Sequence, residues 1–127
     1  MFGSDIIRIR IKGFLKNVTE KEDAFFDEKG IINKNKISFI SDDVKYDIKH
    51  SNSDVIMIRE GKDFINTFIF KKNKGKSTYT LKDNNYSIDM EIIVNELVIN
   101  DNFIDIRYIV CDTECEYEYR LEMSECL

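Results

Sequence analysis

Residues 103–123 read FIDIRYIVCDTECEYEYRLEM, and this stretch decides the fold. Ile104, Ile106, Tyr108 and Val110 fall on one face with Asp105 and Arg107 between them. After Cys111-Asp112-Thr113-Glu114 the alternation resumes in Cys115, Tyr117, Tyr119, Leu121 and Met123, against Glu116, Glu118, Arg120 and Glu122. Successive side chains of a strand point to opposite faces, so each half has one apolar and one charged face. Helical spacing would put the charges inside the apolar stripe. The stretch is a hairpin.

Its register follows from the faces. They coincide if Val110 lies opposite Cys115 or Tyr117, with Tyr108 near Tyr117 or Tyr119. A slip of one residue would turn one apolar face to water. Setting Cys111 opposite Cys115 forces that slip, because it aligns Arg107 with Tyr119, so no disulfide is expected across this turn. Two strands cannot bury such a face alone, and the rest of the chain must cover it.

The chain has 127 residues, enough for one domain with a real core. Hydrophobic residues make up 43% and charged residues 34%, a balance of folded rather than disordered chains. The net charge of −5, with Lys and Arg scattered among acids, speaks against a nucleic-acid or anionic-membrane surface. No apolar stretch approaches membrane-spanning length. The start, Met1-Phe2-Gly3-Ser4-Asp5, lacks a basic region followed by an apolar run, so no secretory signal is expected and the cytoplasm is the expected compartment. The three cysteines then read as reduced thiols.

Outward from the hairpin the same period recurs. Ile7, Ile9 and Ile11 alternate with Arg8, Arg10 and Lys12, and Gly13 before Phe14 predicts a bulge that changes the inward face. Residues 17–23 read as a turn, and Phe25-Phe26 and Ile31-Ile32 as one bent strand or a small hairpin. Ile37 to Ile40 and Val44 to Ile48 form a hairpin. Val55 to Arg59 turns at Glu60-Gly61 into Phe64 to Phe70, with Gly61 expected at positive φ. A strand over 77–81 and a clean alternation of Tyr86, Ile88, Met90, Ile92 and Val94 precede the closing hairpin. Roughly 8–10 short strands joined by short polar turns predict an all-β, antiparallel, mostly up-and-down barrel formed by the whole chain, 1–127. Closure removes the exposed edges.

Ile58-Arg59-Glu60-Gly61 after an apolar strand, Tyr79-Thr80, and a late Ile106-Arg107-Tyr108 resemble, in order and spacing over nearly the whole length, the YwiB-like bacterial proteins. That resemblance implies a calycin-like (lipocalin-like) barrel with no established activity. Such proteins usually carry a glycine shortly after the Tyr-Thr pair. Here Leu81-Lys82-Asp83-Asn84-Asn85 stands instead, and Asn can take the left-handed conformation. The Gly-x-Trp signature of true lipocalins is missing, since the chain has no Trp.

No catalytic constellation stands out. His50, the single histidine, lies beside Ser51 and Asp54, and neighbours on an extended chain do not form a nucleophile relay. Cys111, Cys115, Cys126 and His50 match a zinc set in number but lack paired short spacing. Neither metal nor cofactor is expected. Arg59 shares the face of Val55 and Met57, so it points inwards near a strand end. There it either plugs the barrel by pairing with carboxylates and carbonyls or binds a ligand carboxylate bidentately. Asn66, Tyr79, Tyr86, Tyr108 and Tyr119 are further candidates for orienting a small, partly apolar ligand in the interior. The alternative is a solid core and an interaction or structural module acting through its outer surface.

One outer face supports that alternative. Pairing Arg59 with Lys62 sets Met57 opposite Phe64 and leaves Ile56, Ile58, Ile65 and Ile69 outside. Such a contiguous apolar patch marks a contact surface, here a homodimer through the 55–70 hairpin, unless the N-terminus bearing Phe2 or the 25–32 segment covers it.

The register carries a redox prediction. All three thiols titrate in the denatured, unreduced protein. Recovery of one thiol, with a peptide linking Cys111 to Cys115, would show the register to be wrong.

Overall fold

Ten strands follow one another along the described residues, 6–125, of the computed structural model: β1 (Ile6–Asn17), β2 (Glu22–Asn33), β3 (Lys36–Ser41), β4 (Val44–His50), β5 (Val55–Glu60), β6 (Phe64–Lys71), β7 (Lys74–Leu81), β8 (Tyr86–Ile99), β9 (Phe103–Val110) and β10 (Cys115–Glu125). Each pairs antiparallel with the next, and β1 closes the ring against β10. This is an up-and-down barrel. Of the two registers read for the closing hairpin, the structure takes the one with Cys115 opposite Val110, Tyr117 opposite Tyr108 and Tyr119 opposite Ile106. Cys111 and Cys115 are free thiols; Cys126 lies outside the described residues.

The inward faces form one core. Ile11, Ile37, Phe70 and Leu121 are completely sealed, with Ile9, Ile48, Val55, Ile92, Ile104 and Ile106 nearly so. Full burial of such a side chain contributes roughly 1.5–3 kcal/mol.

Several local expectations are corrected. Of the two readings of residues 25–32 the strand holds and the small hairpin does not, since they belong to one continuous strand, β2, and the turn before it, read as 17–23, is confined to Val18–Lys21. Gly13 makes no bulge: β1 keeps unbroken register with β2 and β10, and Ile9, Ile11 and Leu15 stay in phase towards the core. What Gly13 provides is room, because a Cβ there would strike the Arg120 carbonyl of β10. The bulge lies instead in β8 between Val94 and Glu96, where one extra residue moves the inward face from Ile92 and Val94 to Leu97 and Ile99.

Gly61 does not have positive φ; the left-handed positions belong to Asp42, Asp43, Asn73, Asn85 and Glu114 among others. Asn85, at φ 54°, does stand in the turn after Tyr79-Thr80. The β5–β6 register is also not the expected one. Arg59 lies opposite Asn66, Met57 opposite Phe68 and Val55 opposite Phe70. An even-numbered slip leaves every side chain on its predicted face while changing all the cross-strand partners.

Closure is uneven. β1 and β2 pair along their whole lengths, whereas β3 meets β2 only from Gly30 to Asn33. At the end holding the β1–β2 turn, this ribbon therefore runs past the β3–β4 hairpin and flares the wall open.

Gly13→Ala is expected to cost about 1–3 kcal/mol, because the obstructing oxygen belongs to a backbone that cannot rotate away. Urea denaturation measures it, and an unchanged midpoint would mean that β1 and β10 do not approach this closely.

Candidate functional site

The flared end collects the polar groups that point into the barrel. Tyr46, Arg59, Asn66 and Tyr79 stand side by side on β4, β5, β6 and β7, each the register partner of the next. Phe39 stacks on Tyr46 with centroids 4.7 Å apart, and Phe64 stacks on Tyr79 at 5.5 Å. Phe64 folds back over the turn because residue 61 is glycine; a Cβ there would enter the ring. The Arg59 guanidinium lies 5.5 Å from the Tyr46 centroid and 5.9 Å from that of Phe64. From the far wall Phe26 packs 5.6 Å from Tyr46 and 5.8 Å from Tyr119. Tyr108 stacks on Tyr117 at 5.2 Å.

Two donors in this aromatic end have no partner. Arg59 Nε and the Tyr119 hydroxyl are buried without a hydrogen bond. Among the described residues Arg59 makes no ion pair, and its contacts are the two ring faces. The expected pairing of a barrel plug with carboxylates and carbonyls is therefore corrected. Burial pushes the Tyr119 hydroxyl well above the ordinary tyrosine range; the neighbouring Tyr46 adds to this and the Arg59 charge opposes it. Burial likewise raises Tyr108, with Tyr117 adding and Arg59 opposing. Both hydroxyls are protonated donors at neutral pH. Asn66 is buried, and its carbonyl accepts a hydrogen bond from Ser77 Oγ at 3.1 Å, which leaves its amide as the group it can offer.

The structure brings Arg59, Asn66, Tyr79, Tyr108 and Tyr119 onto inward-facing positions of neighbouring strands. Tyr86 is not with them. It is 57% exposed at the rim, because the β7–β8 hairpin outruns the core it started from. Phe26 escaped sequence reading: the Phe25-Phe26 doublet hides which ring faces in, although Phe26 is in phase with Gly30 and Ile32. The structure answers plainly, with Phe25 73% exposed and Phe26 buried.

A concavity of about 360 Å³ at this end is lined by Leu15, Asn17, Ala24 and Tyr117 and by the carboxylates of Glu20 and Glu22. Leu15 is the register partner of Tyr119, which does not itself line the concavity. A larger depression, of about 890 Å³, runs along the wall at Arg8, Arg10, Lys29 and Glu125, away from the interior donors.

On the outside, Ile56 pairs with Ile69, Ile58 with Thr67 and Glu60 with Ile65. Ile56 and Ile58 are 38% and 37% exposed, while Ile65 and Ile69 are partly covered. The 25–32 segment does not lie over them, being part of the wall, and Phe2 lies outside the described residues.

Fold and site define a closed ten-stranded antiparallel barrel with a cation set among aromatic rings at its open end. Among solved structures the chain is similar to the crystal structure of the ywiB protein from Bacillus subtilis, with a TM-score of 0.71 and 15% identity, covering 98% of this chain and 94% of that one. The likeness is one of fold. No family model and no curated protein matches the sequence. Among the described residues no helix is long and apolar enough to cross a membrane.

Two predictions follow from the unpartnered groups. Arg59→Met is expected to leave the melting temperature nearly unchanged, since the half-buried guanidinium makes, among the described residues, no ion pair whose loss would be felt. A loss near the 3–5 kcal/mol typical of a broken buried pair would show that Arg59 is paired after all. Above the ordinary tyrosine range the unfolded chain releases hydroxyl protons that folded Tyr108 and Tyr119 retain. The folded state then binds more protons, and stability falls as pH rises. Urea midpoints from neutral pH to about pH 11 should decline, and less steeply in Tyr119→Phe.

Proposed function

We propose that this protein is a non-enzymatic cytoplasmic barrel that binds a small, partly apolar ligand at its open end. The observation that carries the reading is the pair of buried, unpartnered donors, Arg59 Nε and the Tyr119 hydroxyl, within an aromatic lining. Buried donors are ordinarily satisfied, and groups left open in a concave end await an acceptor. Side chains fill the rest of the interior, so the ligand sits in the flared end rather than in a deep calyx. Neither a cofactor nor a metal is required, and no nucleic acid or membrane takes part. Titrating benzyl alcohol, benzamide and benzoate into the isotope-labelled protein tests the reading by NMR. Saturable shifts should gather on Tyr46, Arg59, Phe64, Asn66 and Tyr119. Shifts scattered over the outer wall, or none, would remove it.

A second reading rests on the adjacent exposure of Ile56 and Ile58. It makes the outer face of the 55–70 hairpin a homodimer contact, the form in which this barrel acts as an interaction module. Light scattering on the eluting peak is expected to give a dimer mass that falls to the monomer in Ile56→Asp. A monomer at micromolar concentration would leave the patch to intramolecular packing.

A further inference from the structure

Resting on the ligand reading above, we infer that the open end is a subsite for a single carboxylate group, held between Arg59 Nε–H and the Tyr119 hydroxyl. Both groups are donors. The guanidinium is never deprotonated in a protein, and the buried Tyr119 hydroxyl keeps its proton. A site with two open donors and one fixed positive charge is complementary to an acceptor that carries negative charge. A carboxylate offers two such oxygens in a plane. The rings around the charge set the rest of the ligand's chemistry. Tyr46 and Phe64 flank the guanidinium, and Phe26 bridges Tyr46 to Tyr119, so the carboxylate should be attached to a flat or apolar body.

The charge balance limits the anion to one negative charge. The other charged side chains on the inward face near this end are carboxylates, Glu22 and Glu28, in phase with Phe26 and Gly30 on β2. The concavity beside Leu15 and Tyr117 is walled by Glu20, Glu22 and Asp23, and the β3–β4 and β9–β10 turns add Asp42, Asp43 and Asp112. Lys21, Lys62 and Lys82 stand in the turns at this end, but the carboxylates of Glu20, Asp42, Asp43, Asp63, Asp83, Asp112 and Glu114 outnumber them, so a second negative charge would meet a net-negative rim. Phosphates and dicarboxylates are therefore rejected at the entrance, while one carboxylate passes to the arginine.

Benzoate, its neutral isostere benzamide, and phthalate, which adds a second carboxylate, separate these terms. With the full chain, benzoate is expected to bind at least about tenfold more tightly than either of the others. It should also move the Arg59 Nε–H resonance directly. Arg59→Met should erase the preference of benzoate over benzamide. Tyr119→Phe, which removes one oxygen and keeps the ring, should reduce that preference several-fold. Equal binding of benzoate and benzamide at the open end would overturn the carboxylate subsite and leave the ligand reading standing. So would a benzoate preference that both variants retain, or an Nε–H resonance that benzoate does not move, the sign that water alone satisfies the pair. Absence of all three probes from the open end would overturn both. If Arg59→Met does not fold, the wild-type Nε–H resonance and Tyr119→Phe still decide.

Discussion

Strand β1 hydrogen-bonds to β2 on one side and to β10 on the other, and that second pairing, from Ile9 with Glu125 to Asn17 with Tyr117, turns a row of hairpins into a ring. Without it the sheet would present two long unpaired edges and a core open along its length. The pairing joins the first and last strands, so it carries the largest loop-closure entropy of any strand pair in the ring. Gly13 makes the close approach feasible, and Ile11 and Leu121, the sealed side chains nearest that seam, bury the apolar area that holds it.

Turn chemistry divides the labour between residue types in an unexpected way. The left-handed backbone positions are taken by Asp, Asn, Lys and Glu, as in the two-residue β3–β4 turn, where Asp42 and Asp43 both have positive φ. Glycine is kept for places where a Cβ would collide, and at residue 61 this brings the Phe64 ring back towards Arg59. The candidate site thus depends on one missing methyl group as much as on its charged and aromatic members.

Much of this was legible in the sequence because the barrel has one apolar side and one wet side, and alternation reports that directly. The closing hairpin was readable to within two registers that match both faces, Val110 opposite Cys115 or opposite Tyr117, and the structure takes the first. On β5 and β6 alternation placed every residue on the correct face, yet the partners were wrong. A period of two fixes register only modulo two, and the turn, not the pattern, sets the remainder. The break of phase between Val94 and Leu97 was not read, because the alternation followed from Tyr86 stops at Val94 and the bulge falls just beyond it. That Arg59 lacks a carboxylate partner had no local signature, because it depends on which side chains four other strands bring to the same end.

The partial pairing of β2 with β3 gives this closed barrel a seam. Among the described residues no strand borders the outer side of 22–29, where Glu22, Asp23, Asp27, Glu28 and Lys29 discourage a foreign strand from adding. The ring is thus thinnest between Gly30 and Asn33, while β1 stays bound along both its flanks. Local opening starts where pairing is sparsest, so this line is where the wall is expected to part first. The β1–β2 ribbon is the leaf of a door hinged on β10, and the arginine-bearing end is the side on which its free edge has no neighbour among the described residues.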